Sequence, residues 1–233
     1  MPTRRSRTRR VLLPILLAAV VVVLLTVLVR RQGTDTPEPT IRSLAVIGDS
    51  YSAGSQMGGR DDEGWPALVA RHFGATLDLE AVQGRGYRNA GRVDPGHTFP
   101  QQARALVSKW HGDVLIVFGS RNDSHAGQPR LRRTAEATLR FLRSRLPDTR
   151  IVVIGPMWPT PLPPGGDPEG DRAAIAAAAR AVPGITYVDP MDPPWFSADN
   201  IDLIGSDRIH PTDAGHRYLS RRIIGLLSAK TGA

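Results

Sequence analysis

An apolar run changes abruptly into a polar turn in the stretch Val46-Ile47-Gly48-Asp49-Ser50-Tyr51-Ser52-Ala53-Gly54. The apolar run that starts at Leu44 is typical of a buried strand, and the glycine and aspartate after it favour a sharp turn. Ser50 therefore lies where a strand leads into a helix. Ligands of open α/β sheets bind at the carboxyl ends of strands, and N–H groups at a helix N-terminus attract anions. We therefore predict that Ser50 is a nucleophile, which needs a base and an oxyanion hole elsewhere in the chain.

Strands and helical patterns alternate from residue 42 onward. The predicted strands cover residues 43–48, 76–82, 113–118, 150–155 and 185–189. Between and after them lie helical patterns that begin near Pro66, Phe99, Leu131, Ala173 and Pro211. Near-continuous apolar strands that alternate with helices indicate a parallel sheet covered on both faces.

The N-terminal part has a different composition. Residues 1–10 are basic, and the nineteen residues 11–29 carry no charge. In a helix they would span about 28 Å, close to the thickness of a bilayer core. The apolar run ends directly in Arg30 and Arg31 without a small-x-small cleavage site, which favours an uncleaved signal anchor over a cleaved signal peptide. Positive charge is heavier before the segment, so we expect the N-terminus in the cytoplasm and the rest of the chain outside.

The sequence thus predicts four regions. They are a basic cytoplasmic tail (1–10), a transmembrane signal anchor (11–29), a polar linker with two prolines (30–41) and one α/β domain (42–233). Seven arginines and no acid lie in residues 1–31, so they supply most of the formal net charge of +8. The domain itself is nearly neutral, so nucleic acid is not predicted as a partner. The lack of cysteine excludes disulfides, thiolate metal sites and a cysteine nucleophile.

The predicted base is His210, in the stretch Ser206-Asp207-Arg208-Ile209-His210-Pro211. Proline suits the first position of a helix, which would place His210 at a helix start with Asp207 three residues before it. The Asp207 carboxylate could then hold one imidazole nitrogen while the other faces Ser50, which is the arrangement of a Ser-His-Asp triad. Capping of the helix by Asp207 is the alternative interpretation of this pattern.

Three hydrogen-bond donors could form the oxyanion hole. They are the backbone N–H of Ser50, the backbone N–H of Gly84 after the second strand, and the side-chain amide of Asn122 after the third. Donors aimed at the developing negative charge stabilise the transition state of acyl transfer. Gly84 and Asn122 could each be an ordinary turn residue. Their position after successive strands, at the same rim as Ser50, favours a catalytic site.

Two long loops, 157–170 and 190–209, follow the fourth and fifth strands. Loops of this length in a compact domain are usually functional or mobile. Their aromatic residues Trp158, Trp195 and Phe196 are candidates for a substrate-binding wall. The alternative is that these side chains pin the loops to the domain.

Together these motifs resemble the four sequence blocks of the SGNH or GDSL-type hydrolases, a family of serine esterases and lipases. The matching residues are Gly48-Asp49-Ser50-Tyr51-Ser52-Ala53-Gly54, Gly84, Asn122-Asp123 and Asp207-x-x-His210-Pro211, within residues 43–228. The resemblance implies a flavodoxin-like α/β/α sandwich of three layers, with a five-stranded parallel sheet in the order 2-1-3-4-5. It also implies Ser50 as nucleophile, His210 as base and Asp207 as the acid that orients it. Ser50, Gly84 and Asn122 would be the oxyanion donors.

The third block departs from the family pattern, which is usually Gly-x-Asn-Asp. Ser120 stands in the place of the glycine, with Gly119 one residue earlier. The amide of Asn122 is kept, but the backbone path could change. In the second block Gly84 and Gly86 compete for the donor role, and we prefer Gly84 because it follows the strand directly.

We therefore expect a membrane-anchored, extracytoplasmic serine esterase that needs no metal and no organic cofactor. The chain has no obvious long apolar lid, which favours a small acyl group, such as acetyl on carbohydrate, over a lipid ester. The two long loops could nevertheless form an acyl groove. The same residues would also serve an O-acyltransferase that acts on a cell-envelope glycan. A catalytically idle glycan-binding domain is a third interpretation, against which the intact set of Ser50, Asn122, Asp207 and His210 argues.

Overall fold

The computed structural model describes residues 40–91, 96–119, 121–124, 126–159 and 167–229. The predicted basic tail (1–10), the predicted signal anchor (11–29) and nearly all of the linker lie outside these ranges. Among the described residues, no helix is both long enough and apolar enough to cross a membrane.

A five-stranded parallel sheet forms the centre of the described domain. Its strands are β1 (Ser43–Gly48), β2 (Thr76–Ala81), β3 (Val114–Phe118), β4 (Arg150–Ile154) and β5 (Ile185–Val188). They are hydrogen-bonded in the order β2-β1-β3-β4-β5, and every pairing is parallel. The predicted parallel sheet and its strand order are therefore confirmed.

Helices connect the strands and cover both faces of the sheet. They are α1 (Ser50–Ala53), α2 (Trp65–Phe73), α3 (Phe99–Val107), α4 (Gln128–Arg145), α5 (Pro168–Arg180) and α6 (Asp213–Ser228). Short 3-10 helices cover Asp61–Glu63, Arg121–Asp123 and Ala198–Leu203. Successive strand residues point to opposite faces, so Val46 packs in the core under α2 and α6 while Ile47 packs under α3, α4 and α5.

The start of α6 differs from the prediction. Pro211 does not occupy the first helical position but pairs with Ile204 in an isolated antiparallel bridge. The helix begins at Asp213, because the Thr212 side chain caps it and accepts a hydrogen bond from the Gly215 N–H. His210 consequently lies in the loop before the helix, not at its first turn.

The sheet brings three loops to one edge. Gly48, at the end of β1, lies in register with Ala81 at the end of β2 and with Phe118 at the end of β3. The segments that follow these three residues therefore emerge side by side. They carry Ser50, Gly84 and Asn122.

Candidate active site

The turn after β1 is fixed by close contacts around Gly48. A Cβ atom at this position would lie 2.5 Å from Oγ of Ser52, so only glycine fits. The side chain of Gln102 holds the Gly48 peptide on both sides, accepting its N–H and donating to its carbonyl, each at 3.1 Å. Asp49 caps α1 by accepting the Tyr51 N–H at 3.0 Å. These contacts place Ser50 as the first residue of α1.

His210 lies between Ser50 and Asp207. Its Nε2 is 2.8 Å from Oγ of Ser50, and its Nδ1 is 2.6 Å from Oδ2 of Asp207. Oδ1 of Asp207 accepts the backbone N–H groups of Ile209 and His210 at 2.9 and 3.0 Å. Partial burial alone would raise the pKa of Asp207, but the hydrogen bonds from His210 and Ile209 lower it below its usual value. The structure thus joins the three residues in one hydrogen-bonded row with an ionised carboxylate at its end.

Tyr51 supports this row from behind. Its hydroxyl donates to the Ile209 carbonyl at 2.6 Å, and its ring centroid lies 6.0 Å from that of His210. The Nε1–H of Trp65 in turn donates to the Tyr51 carbonyl at 2.8 Å. Burial raises the pKa of Tyr51, so its hydroxyl remains a proton donor. We did not identify Tyr51 from the sequence, where its place beside Ser50 is the only signal.

Three hydrogen-bond donors lie around Ser50. Ser50 is the first residue of α1, so its own N–H has no partner within the helix. Gly84 has a φ of 71° and lines the same cleft, and within the described residues its N–H makes no hydrogen bond. Nδ2 of Asn122 donates to the Arg85 carbonyl at 2.8 Å and to Oδ2 of Asp49 at 3.2 Å.

Gly86 does not line the cleft. Its N–H donates to the Asn89 carbonyl at 3.0 Å, and a Cβ atom there would lie 2.4 Å from Oδ2 of Asp123. The buried Asp123 carboxylate accepts the N–H groups of Tyr87, Arg88 and Asn89 at 2.7 to 2.8 Å. Asp123 therefore shapes the loop that carries Gly84.

The altered third block keeps its glycine at a neighbouring position. Gly119 has a φ of 136°, and a Cβ atom there would lie 2.6 Å from Oδ2 of Asp49. Gly119 therefore allows the close approach to Asp49 on which the site depends. Ser120 lies outside the described residues.

These groups meet in one open cleft with a volume of about 550 Å³. Its walls bring together four of the predicted site residues, Ser50, Gly84, Asn122 and His210. Asp207 lies behind His210 and does not line the cleft. The remaining lining residues are Asp49, Tyr51, Gln83, Arg85, Asn89, Gly91, Arg121 and Ile209.

The three loop aromatics do not form the expected substrate wall. Trp158, Trp195 and Phe196 are buried, and none of them lines the cleft. Trp195 packs edge-on against Phe118, with ring centroids 6.2 Å apart, and the Trp158 N–H contacts Sδ of Met191 at 3.3 Å. The burial of all three side chains and the packing of Trp195 match the alternative interpretation, in which the aromatic residues pin their loops to the domain.

A family model described as the GDSL-like lipase/acylhydrolase family matches residues 46–218. The chain belongs to this family. It is also 38% identical over 197 residues to the GDSL lipase Rv0518 of Mycobacterium tuberculosis, an alignment that covers 81% of this chain and 82% of that protein. The chain is therefore an enzyme of the serine hydrolase class that cleaves carboxylic esters.

Solved structures of esterases share the fold of this GDSL-family chain. A family two carbohydrate esterase from Clostridium thermocellum, in complex with cellohexaose, has a TM-score of 0.61 and 20% identity, covering 82% of this chain and 65% of that one. The carbohydrate acetylesterase Est24 from Sinorhizobium meliloti has a TM-score of 0.61 and 18% identity, covering 80% and 98%. The aryl esterase of M. smegmatis has a TM-score of 0.58 and 19% identity, also covering 80% and 98%.

Proposed function

We propose that this protein is a membrane-anchored, extracytoplasmic esterase whose triad is Ser50, His210 and Asp207. The observation that carries the proposal is the continuous row of side chains in which His210 lies 2.8 Å from Ser50 and 2.6 Å from Asp207. Both distances are short enough for hydrogen bonds, and the shorter one joins a carboxylate, to which hydrogen bonds are shorter than to neutral acceptors. An orienting carboxylate, a base and a nucleophilic hydroxyl in this order are the parts of a serine hydrolase triad.

In the first step Oγ of Ser50 attacks the carbonyl carbon of the ester. Nε2 of His210 accepts the hydroxyl proton, and the carboxylate of Asp207 stabilises the imidazolium that forms. The carbonyl oxygen becomes an oxyanion, which the N–H groups of Ser50 and Gly84 and the Asn122 amide stabilise. The collapse of this intermediate breaks the ester bond, and His210 gives its proton to the leaving alcohol. An acyl-enzyme on Ser50 remains.

Asn122 changes one hydrogen bond during this step. Both of its amide hydrogens are engaged in the free protein, one with the Arg85 carbonyl at 2.8 Å and one with Asp49 at 3.2 Å. The bond to Asp49 is the longer of the two, and longer hydrogen bonds are weaker. We propose that the hydrogen directed at Asp49 turns to the oxyanion, while the bond to Arg85 keeps the amide in place.

Water completes the cycle. His210 takes a proton from a water molecule, whose oxygen attacks the acyl carbon of the acyl-enzyme. The second tetrahedral intermediate uses the same three donors. Its collapse releases the carboxylic acid and returns the proton to Oγ of Ser50.

The cleft supports a small polar acyl ester as the substrate. Its lining includes the polar side chains of Gln83, Asn89 and Asn122 together with two arginines, whereas the loop aromatics are buried elsewhere. Carbohydrate esterases share this fold, and an O-acetylated carbohydrate fits the polar lining.

The location outside the cytoplasm rests on residues 1–31. The uncharged run 11–29 is long enough to span a bilayer, and the positive charge before it favours a cytoplasmic N-terminus. Fractionation of cells that produce the full chain tests this proposal. We expect the protein in the membrane fraction, with its domain digested by protease added to intact spheroplasts. Soluble protein shortened at its N-terminus would instead indicate a cleaved signal peptide.

A pair of serine variants tests the nucleophile. Ser52 follows Ser50 by two residues in α1, and its buried Oγ has no hydrogen-bond partner within the described residues, so Ser52→Ala is a matched control. We expect Ser50→Ala to abolish both p-nitrophenyl acetate hydrolysis and labelling by a fluorophosphonate, whereas Ser52→Ala retains both. Labelling of the Ser50→Ala variant at the wild-type rate would overturn the assignment. An added sugar acceptor would reveal acyl transfer as a second product.

A further inference from the structure

Arg121 has no assigned part in the reaction, yet it lines the cleft that holds Ser50 and His210. It opens the short 3-10 helix Arg121–Asp123 and directly precedes Asn122, whose amide lies beside the nucleophile turn. An arginine side chain at this position can contact a substrate bound in the cleft. It is also charged at any pH at which the enzyme works.

The guanidinium of Arg121 lacks a partner within the described part of the chain. None of its nitrogens makes a hydrogen bond or an ion pair there, and its Nε is buried with no acceptor. Buried polar groups in folded proteins are nearly always paired. A cleft residue whose guanidinium has no ion-pair partner among the described residues can bind an anion that arrives with a ligand.

The second arginine of the cleft is held differently. Arg85 is almost completely buried, and its Nη1 donates to the Gln83 carbonyl at 3.2 Å. Its guanidinium also packs against Gly91, where a Cβ atom would collide with Nη1. Arg85 therefore supports the loop, whereas Arg121 lines the cleft without a comparable contact in the described part of the chain.

The carboxylates close to the cleft are already engaged. Asp49 is fully buried and accepts hydrogen bonds from the Tyr51 N–H and the Asn122 amide. Asp207 is bound to His210, and Asp123 to three backbone N–H groups. The described cleft thus offers a positive charge for which its own walls supply no counterion.

We propose that Arg121 is a specificity determinant that selects esters carrying an anionic group, a carboxylate or a phosphate, near the scissile bond. This inference rests on the proposed function, since it names the substrate class of the same site. The planar fork of a guanidinium binds carboxylate and phosphate oxygens through two parallel hydrogen bonds.

Matched pairs of esters test the proposal on the full-length enzyme. Mono-4-nitrophenyl succinate and its methyl ester place the charge on the acyl side. The alcohol side is tested by 4-acetoxybenzoate against its methyl ester, and 4-acetoxyphenyl phosphate against 4-acetoxyanisole tests a phosphate. For each pair the measured quantity is the ratio of kcat/KM for the anionic ester to kcat/KM for the neutral one, because changes common to both esters cancel.

We expect Arg121→Gln to lower this ratio about tenfold or more in at least one pair, since a charge-assisted pair of hydrogen bonds is lost. The pair that responds identifies the position and type of the anion. Arg121→Lys should give an intermediate ratio. Arg145→Gln removes an exposed arginine near the end of α4 and should leave every ratio unchanged. Added salt should lower the ratio of the wild type more than that of Arg121→Gln.

Equal ratios in the wild type and Arg121→Gln for all three pairs would overturn the proposal, as would an equal loss on charged and neutral esters. Failure of the proposed function is a different result, in which Ser50→Ala still hydrolyses the esters. Calorimetric binding of the anionic esters to Ser50→Ala, with and without Arg121→Gln, tests the anion site without turnover. Equal affinities in these two variants would also contradict it.

Discussion

Oδ2 of Asp49 lies 3.2 Å from Nδ2 of Asn122, across 73 residues of sequence. The other oxygen of Asp49 accepts the Tyr51 N–H and so caps the short helix that presents Ser50. One buried carboxylate therefore fixes both the turn of the nucleophile and the amide that we assign to the oxyanion hole. This contact joins the loops after β1 and β3, which the parallel register of the two strands brings together.

Replacement of Asn122 by alanine should lower kcat about 100-fold or more, because it removes one donor to the oxyanion. The effect on KM should be smaller, since this hydrogen bond strengthens as charge develops on the carbonyl oxygen. Steady-state kinetics with p-nitrophenyl acetate measures both constants, and circular dichroism controls for the fold. An unchanged kcat in a folded variant would remove Asn122 from the oxyanion hole.

The variant Asp207→Asn tests the orientation of His210. An asparagine can keep the oxygen that accepts the N–H groups of Ile209 and His210, so the loop should hold its shape. Its NH2 group would then face Nδ1 of His210 and favour the tautomer protonated on Nε2, which cannot accept the Ser50 proton. We expect kcat to fall by about 10³-fold or more.

A change on the exposed face of α6 serves as the control for Asp207→Asn. Arg221→Gln lies on the exposed face of α6, and we expect it to retain wild-type kcat. The pH profile of kcat/KM separates a catalytic effect from a folding defect. Activity of Asp207→Asn within threefold of the wild type would show that the carboxylate does not orient the base.

Asp123 should matter for the shape of the cleft rather than for chemistry. Its carboxylate accepts three consecutive backbone N–H groups, those of Tyr87, Arg88 and Asn89, in the loop that carries Gly84. Asp123→Ala leaves these donors without their acceptor, which should destabilise the fold by about 2–5 kcal/mol. Urea denaturation measures this loss. A variant as stable as the wild type would show that water or another group replaces the carboxylate.

The sheet and the rim residues were predictable from local signals. Apolar runs of strand length marked most of the strands, and an alternating pattern marked β2. Parallel strands necessarily deliver their following loops to one edge. The sequence therefore predicted that Ser50, Gly84 and Asn122 would lie near one another. It also predicted that the side chains of Asp207 and His210 would be in contact, because the two residues are only three positions apart.

Other features depend on packing between distant segments, which a single sequence does not display. The aromatic side chains Trp158, Trp195 and Phe196 could turn to the cleft or to the core. All three are buried, and Trp195 and Phe196 pack in the core against the sheet and α6. The start of α6 was misplaced because proline and threonine compete for the same helix terminus, and the Thr212 cap prevailed. The lack of a partner for the Arg121 guanidinium among the described residues has no signature in the sequence.

Asp171, in α5, is a buried carboxyl group away from the cleft lining. Neither of its oxygens has a hydrogen-bond partner within the described residues. Burial, and to a smaller extent the carboxylates of Asp123 and Asp167, raises the pKa of Asp171 to about 7. A buried carboxyl group without partners is more stable in its neutral form. Its ionisation should therefore weaken the fold.

The sign of the resulting pH dependence follows from the two protonation states. An unfolded aspartate titrates near pH 3.9, so between about pH 4 and pH 7 the folded chain holds a proton that the unfolded chain has released. The contribution of Asp171 to stability is therefore lost as the pH rises through this window.

Asp171→Asn cannot ionise, and its stability relative to the wild type should rise by about 2–4 kcal/mol between pH 4.5 and pH 8. Urea denaturation at both pH values measures this difference, and the exposed Asp148→Asn variant should follow the wild type. Parallel stability curves for Asp171→Asn and the wild type would show that Asp171 is already ionised in the folded protein at low pH.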